Sequence, residues 1–421
     1  MKWQGSAELL PLVHLFLGPK LSSFSLEIAP DGGVHPFNGF VNPNIITVAP
    51  FLTEVHFFGC DLLPTNVSGG LSDAVCRMGR LRSFSDRYHD YTAHALFHLA
   101  SISTLQDVSL TDNTAFEVAN RFTRNPNEPF FRALRNITIT EPRQSIVNHQ
   151  IFKVIQSCQL KSVTVHVLKV TAESLRTFLS TLGLHRSSAS LSHLNFRSRH
   201  DLDLRELDYR VDCHITLEIM RPLSALVGLE CLDMGVLPCL DLGDDDVKEL
   251  AMSLPRLKKL VLGTAFGWRL PSRITLLGLA SFAEYCPELT DLEIVVDTRS
   301  TIPDSGVRVG MNRPNNKLRA LNLSNSSIEA SQVPEIAALI SELFPGLGYI
   351  IGSGTSGDGY RHWQDVRNLV EVNRDKRMAR CVLNIPHKLS SRVYITFLPS
   401  TVGKPLTGTN ILQSETEEFA I

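Results

Sequence analysis

The sequence predicts an α/β solenoid of about twelve irregular repeats, with a parallel sheet on the concave face and helices on the convex face. Three observations predict it. A hexamer of the form Leu-x-x-apolar-x-apolar recurs along the 421 residues. Its starts are regularly spaced, about 30 residues apart on average between Leu21 and Leu347. The segments ahead of the hexamers carry amphipathic helix patterns that stop at proline or glycine. Length alone would suggest two or three separate cores, whereas a repeat lets a single core grow by addition.

Conforming hexamers begin at Leu21, Leu52, Leu105, Leu134, Leu160, Leu191, Leu229, Leu257, Leu289 and Leu318, as in Leu105-Gln-Asp-Val108-Ser-Leu110. Leu81 and Leu347 start degenerate copies, with Asp86 and Gly352 in the sixth position. About four such hexamers would arise by chance at ordinary composition. The spacing is therefore the stronger evidence, since successive starts differ by 24 to 38 residues. Alternation within each hexamer reads as a strand.

Residues 7–17 read as the helix of a partial first repeat, so residues 1–20 stand ahead of an array spanning 21–355. Acidic Asp244, Asp245 and Asp246 open a helix whose apolar stripe is Val247, Leu250, Ala251 and Leu254, before a stop at Pro255. The same grammar starts at Leu276 and at Val333, and the helix that starts near Thr171 is expected to end on Gly183 as a C-cap. Residues 356–381, around Trp363 and Val366, are expected to form a capping helix region. Residues 382–421 are expected to be a largely disordered tail, with one strand over 392–398.

With those elements in place, the chain resembles leucine-rich-repeat proteins of the long, helix-containing type. The fullest match is Leu52-x-x-Val55-x-Phe57-x-x-Cys60-x-Leu62, and Asn113 fills the Asn/Cys position of the Leu105 unit. The turns Cys286-Pro-Glu-Leu289, Leu254-Pro-Arg-Leu257 and Phe344-Pro-Gly-Leu347 resemble those of fungal F-box leucine-rich-repeat proteins. That resemblance implies the substrate-recognition part of a ubiquitin-ligase receptor, with a ligase adaptor and cullin as partners only if an F-box lies upstream. No F-box is recognisable in this sequence, and a truncated start is the expectation.

Composition excludes other classes. With 41 Lys+Arg against 43 Asp+Glu, the net charge is -2, unlike the basic surface of a dedicated nucleic-acid binder. A 43% hydrophobic content is too high for an acidic disordered chain. No apolar run reaches the roughly 18–20 residues of a spanning helix. The eight cysteines show no metal-ligand spacing and read as reduced, buried hydrophobes. The N-terminus lacks a signal-peptide cleavage pattern. The expectation is a cytoplasmic or nuclear monomer that binds neither membrane nor nucleic acid.

Motifs with chemical appeal carry bland explanations. Gly352-x-Gly354-x-x-Gly357 follows an apolar strand as a dinucleotide fingerprint would. It sits at the end of the array, however, with a helix expected to start too late, so an exit loop is expected. Asp241, Asp244, Asp245 and Asp246 lack the alternation of a calcium loop and read as helix capping. His193, His200 and His214 have no nucleophile or paired carboxylate at useful spacing. No catalytic residue, metal or cofactor is expected.

The remaining surface is the concave one, onto which alternate strand residues point. The expected protein-binding residues are His56, Ser109, Thr138, Thr164, His166, Asn195, Arg197, Asp233, Asp291, Glu293 and Asn322, with Ser85 and Val261 in the same row. An open row of unlike polar side chains suits a protein ligand, while a catalytic pocket needs a few groups converging in a cleft. The expected function is a non-enzymatic protein-binding scaffold. The alternative is a repeat-built regulator or inhibitor acting directly on an enzyme or GTPase.

Overall fold

A computed structural model describes residues 2–5, 18–28, 50–58, 68–86, 91–111, 130–140, 150–167, 170–198, 214–237, 240–263, 272–299, 314–352 and 357–383. Among the described residues, thirteen parallel strands lie side by side in strict chain order, forming one sheet. They are β1 (Lys2–Gly5), β2 (Ser23–Ile28), β3 (Glu54–Phe58), β4 (Ser83–Asp86), β5 (Asp107–Thr111), β6 (Asn136–Thr140) and β7 (Ser162–Val167). β8 (His193–Ser198), β9 (Cys231–Met234), β10 (Lys259–Leu262), β11 (Asp291–Glu293), β12 (Ala320–Asn322) and β13 (Tyr349–Ile351) complete it. Parallel neighbours in sequence order, joined by crossovers, are what a repeating strand–helix unit must give. The fold is thus an α/β solenoid of the leucine-rich type.

Among the described residues the helices are α1 (Ser68–Val75), α2 (Ala93–Ser101), α3 (Gln150–Val154), α4 (Ala172–Leu184), α5 (Leu217–Met220), α6 (Asp244–Ser253), α7 (Leu276–Tyr285), α8 (Val333–Leu343) and α9 (Gly357–Leu383). Their buried faces join the repeat leucines in one continuous core. The fourth hexamer position forms its central ladder: Phe84, Val108, Ile137, Val163, Leu194, Leu232, Leu260, Leu292 and Leu321 are all buried.

Backbone hydrogen bonds fix the register. The carbonyl of Ser22 accepts from the amides of Thr53 at 2.7 Å and Glu54 at 3.1 Å. The same forked bond recurs at the carbonyls of Thr53, Arg82, Gln106, Arg135, Lys161, Ser192, Glu230, Lys258, Thr290 and Arg319. Side chains three residues ahead of a repeat leucine add further stitches. Ser157 Oγ donates to the Leu134 carbonyl at 2.6 Å. Cys286 Sγ donates to the carbonyls of Ala251 and Leu254 at 3.6 and 3.7 Å. Asn315 donates to the Cys286 and Leu289 carbonyls and accepts from the amides of Lys317 and Leu318, so its buried amide is fully satisfied.

The two degenerate repeats are repaired by aromatic side chains. Asp86, wholly buried and level with Phe57 of the neighbouring strand, accepts a hydrogen bond from the Tyr91 hydroxyl. Burial, together with the Asp86 carboxylate, raises the Tyr91 phenol well above its usual value, so it stays a donor. At Gly352, a Cβ would stand 2.4 Å from Cδ1 of Trp363, whose buried indole fills that place and donates to the Ser326 carbonyl at 2.9 Å.

Three sequence expectations need correction or extension. Lys2–Gly5 form a strand, with Lys2 level with Ser25, which the hexamer search did not detect; residues 7–17 lie outside the described residues. Gly183 is not a C-cap. The helix runs on to Leu184, with His185 as an extended cap, and Gly183 lies where a Cβ would meet the Pro222 carbonyl at 3.1 Å. The last helix starts at Gly357, earlier than expected. The objection of a late helix to the glycine-rich loop therefore falls, but Gly352 is closed off by Trp363 and Gly354 lies outside the described residues.

The chain divides into two compact units, residues 1–376 and 377–421. The described part of the second is the continuation of α9 to Leu383; the expected tail strand and the rest of the tail lie outside the described residues. No helix among the described residues is long and apolar enough to cross a membrane. Among the described residues, no group of three or more His, Cys, Asp or Glu side chains could hold a metal ion.

Candidate binding face

Strand pairing places most of the sequence-predicted residues in one row on the helix-free face. Ser25, His56, Ser85, Ser109, Thr138 and Thr164 are register partners in turn. The row continues through Asn195, Asp233, Val261, Glu293 and Asn322 to Ile351. His166 and Arg197 lie level with each other two residues further along their strands. Every residue named from the sequence thus falls on one face.

They are not equally open. Ser109 and Asp233 are buried at 6% and 5% relative exposure, against the expectation that the whole row faces solvent. Asp233 is held by Arg197, 3.2 Å from its carboxylate, and accepts from the Gly235 amide at 3.1 Å. Arg197 remains exposed. Asn322 donates to Glu293 at 3.0 Å while its carbonyl oxygen accepts from the Ser324 amide. That second bond supports a left-handed backbone at Ser324, φ 46°, which a non-glycine residue adopts at some cost.

Neighbouring strands tie further members together. Asn195 donates to Thr164 at 3.5 Å and accepts from Cys231 Sγ at 3.6 Å. Thr290 donates to Asp291 at 2.6 Å. His56 is half-buried, and burial lowers its pKa against the opposing pull of Glu54 and Asp107. It is therefore a neutral imidazole near pH 7. These groups form a polar strip of cross-strand pairs, with no converging nucleophile and base.

The sequence reading missed most of a second row on the same face, two residues earlier on each strand. It runs through Glu54, Ser83, Asp107, Asn136, Ser162, His193, Cys231, Lys259, Asp291, Ala320 and Tyr349. Only Asp291 was singled out. The signal was the same two-residue alternation, extended back to the third hexamer position. The glutamate, aspartate and lysine of this row give the face both signs of charge, and Asn136 donates to Asp107 across it.

The chain matches no family model and no curated protein. Solved structures similar to it include the TLR13–ssRNA13 complex, at 14% identity and TM-score 0.46, covering 80% of this chain and 40% of that one. Another is the yeast Rad7 and Elc1 complex, at 17% identity and TM-score 0.43, covering 72% of this chain and 70% of that one. The Drosophila Toll–Spatzle complex is similar at 10% identity and TM-score 0.33, covering 83% of this chain and 53% of that one. The chain thus spans well under half the length of the TLR13 chain.

Proposed function

We propose that the protein is a non-catalytic scaffold that binds a protein ligand on the helix-free face of its sheet. The observation that supports this is the continuous register from Ser25 to Asn322, polar at every position but the buried Val261. Such a strip offers a hydrogen-bonding group or charge in nearly every repeat over a long surface, suited to a macromolecular ligand. The test begins with a partner captured on the full chain and then purified. Its affinity is measured against Asn195→Ala, Arg197→Ala and Glu293→Ala on the helix-free face, and against Arg176→Ala and Met252→Ala on the helices. Losses confined to the first set support the reading; losses confined to the second overturn it.

The finer reading is the substrate-recognition part of an F-box ubiquitin-ligase receptor, supported by the proline turns after Cys286 and Leu254. It requires an F-box in the coding sequence upstream. A complete transcript that encodes none sinks this finer reading and leaves the scaffold reading intact.

A further inference from the structure

The edge of the sheet where the strands begin carries a charge asymmetry outside the binding face. The residue after each repeat leucine sits in the forked backbone ladder, so Arg82, Gln106, Arg135, Lys161 and Ser192 stand side by side just ahead of β4 to β8. The strands are about 4.8 Å apart, which places Arg135 and Lys161 one strand spacing apart and Arg82 two spacings from Arg135. The adjoining turns add Arg80, Arg132 and Arg186. All six cations are exposed. None of them makes an ion pair among the described residues; Arg80 lies over the Phe51 ring at 5.1 Å, and Arg186 donates to the Gln156 carbonyl.

No acidic residue occurs in the turns leading into β4 to β8, over residues 76–82, 102–106, 130–135, 155–161 and 185–192. The later repeats differ. There Lys258 is neutralised by Glu230 at 2.8 Å and Lys317 by Glu288 at 2.5 Å, on the same edge. Among the described residues the unpaired cations are thus densest in the first half of the edge; in the later half Arg319, one residue after Leu318, is exposed too and donates to the backbone carbonyls of Asn316 and Gly346.

We propose that this half-edge is a docking surface for an acidic segment of a partner protein. Arginine dominates it, and the guanidinium fork matches carboxylates in pairs. Among the described residues the edge offers no row of aromatic side chains on which bases could stack, as single-stranded nucleic acid needs. Phe51, the aromatic in reach, is already covered by Arg80. Glu54 and Asp107 begin strands just inside the edge. They would repel a wide duplex, which carries a charge every 1.7 Å or so. An extended acidic peptide carries at most about one charge per 3.3 Å, so it meets less of that repulsion than a duplex does. This surface is separate from the helix-free face and stands independently of the function proposed for it.

The test uses the full chain and a fluorescein-labelled oligo-glutamate peptide, read by fluorescence anisotropy at low and physiological salt. Arg82→Glu/Arg135→Glu/Lys161→Glu is compared with Arg176→Glu/Lys248→Glu/Arg361→Glu, which changes net charge equally at exposed helix positions. The proposal expects at least a tenfold weaker affinity for the edge variant and less than threefold for the helix variant. Neutral Arg82→Gln/Arg135→Gln/Lys161→Gln should fall between. Glu293→Ala on the helix-free face should bind the peptide as the parent does. Equal losses in both charge-reversal variants, or no peptide binding at low salt, would overturn the proposal. So would tighter binding of oligothymidylate or of phosphatidylserine vesicles than of the peptide, which would mark a phosphate-reading surface.

Discussion

Replacing Tyr91 by phenylalanine removes one hydroxyl group and keeps the ring, whose edge-on packing against Phe84 at 5.4 Å does not need it. The lost hydroxyl is one donor to Asp86, which has no exposed surface. A hydrogen bond to a charged group contributes about 1.5–3 kcal/mol and a neutral one about 1. Tyr91→Phe should therefore cost about 2 kcal/mol. Asp86→Leu restores the apolar residue that other repeats carry in this position, burying side-chain area worth about 2 kcal/mol. It also leaves the phenol unsatisfied, at about 1–3 kcal/mol, so its net effect is small. The double variant removes both partners and should match or exceed the parent in stability, because neither polar group then remains in the core. The cycle thus predicts a coupling of about 2 kcal/mol. Urea unfolding followed by circular dichroism measures it, with amide exchange in β3 to β5 as a local readout, since a repeat array need not unfold in one step. A Tyr91→Phe variant within about 0.5 kcal/mol of the parent, or strictly additive singles, would refute the reasoning.

Three further perturbations test other parts of the fold. His185 accepts from the Ser187 amide at Nδ1 and donates from Nε2 to the Ile155 carbonyl, and burial lowers its pKa. The folded state therefore takes up the proton less readily than the unfolded chain. Its contribution to stability is complete above about pH 6.5 and declines as pH falls below that value; His185→Gln should flatten the stability profile in that window, as seen in urea midpoints from pH 8 to 5. Burial pushes the Cys286 thiol up to about 12, so iodoacetamide at pH 8 should leave it intact in the native protein while labelling exposed Cys158, as peptide mapping would show. Gly352→Ala should displace the Trp363 indole and shift its emission, whereas the reading of that glycine as part of a nucleotide loop expects only a loss of nucleotide binding.

The array was legible because each strand repeats the same alternation and each turn ahead of a strand has nearly the same length. The hexamer starts from Leu21 to Leu347 all lead into strands, and the helices expected from Asp244, Leu276 and Val333 lie where their patterns put them. What escaped had no pattern to betray it. β1 is a strand without a leucine ahead of it in the sequence. Burial of Ser109 and Asp233 depends on neighbours from other repeats, and hydrogen bonds that cross about 30 residues leave no trace at short range. Asp86 and Gly352 looked like failures of the repeat until Tyr91 and Trp363 were seen to complete them. The side chain that fills each gap comes from outside the hexamer.

The same asymmetry explains why the edge cations form an ordered array. Chain length varies on the side where strands end: Val167 is followed closely by α4 at Ala172, whereas Ser198 is far from α5 at Leu217. On the side where strands begin, the path from helix to strand is short, and the forked backbone bond recurs from Ser22 to Arg319. Length variation is therefore absorbed at one end of the strands, leaving the other in strict register. A charge placed one residue after a repeat leucine is held one strand spacing from its neighbour, whatever the loop beyond it does. Arg82, Arg135 and Lys161 occupy that position with no acidic counterpart, and later repeats show that pairing is available there, through Glu230 to Lys258. Lys161→Ala should then weaken binding of an acidic peptide without changing the free energy of urea unfolding by more than about 0.5 kcal/mol, because the scaffold holds the side chain but does not depend on it.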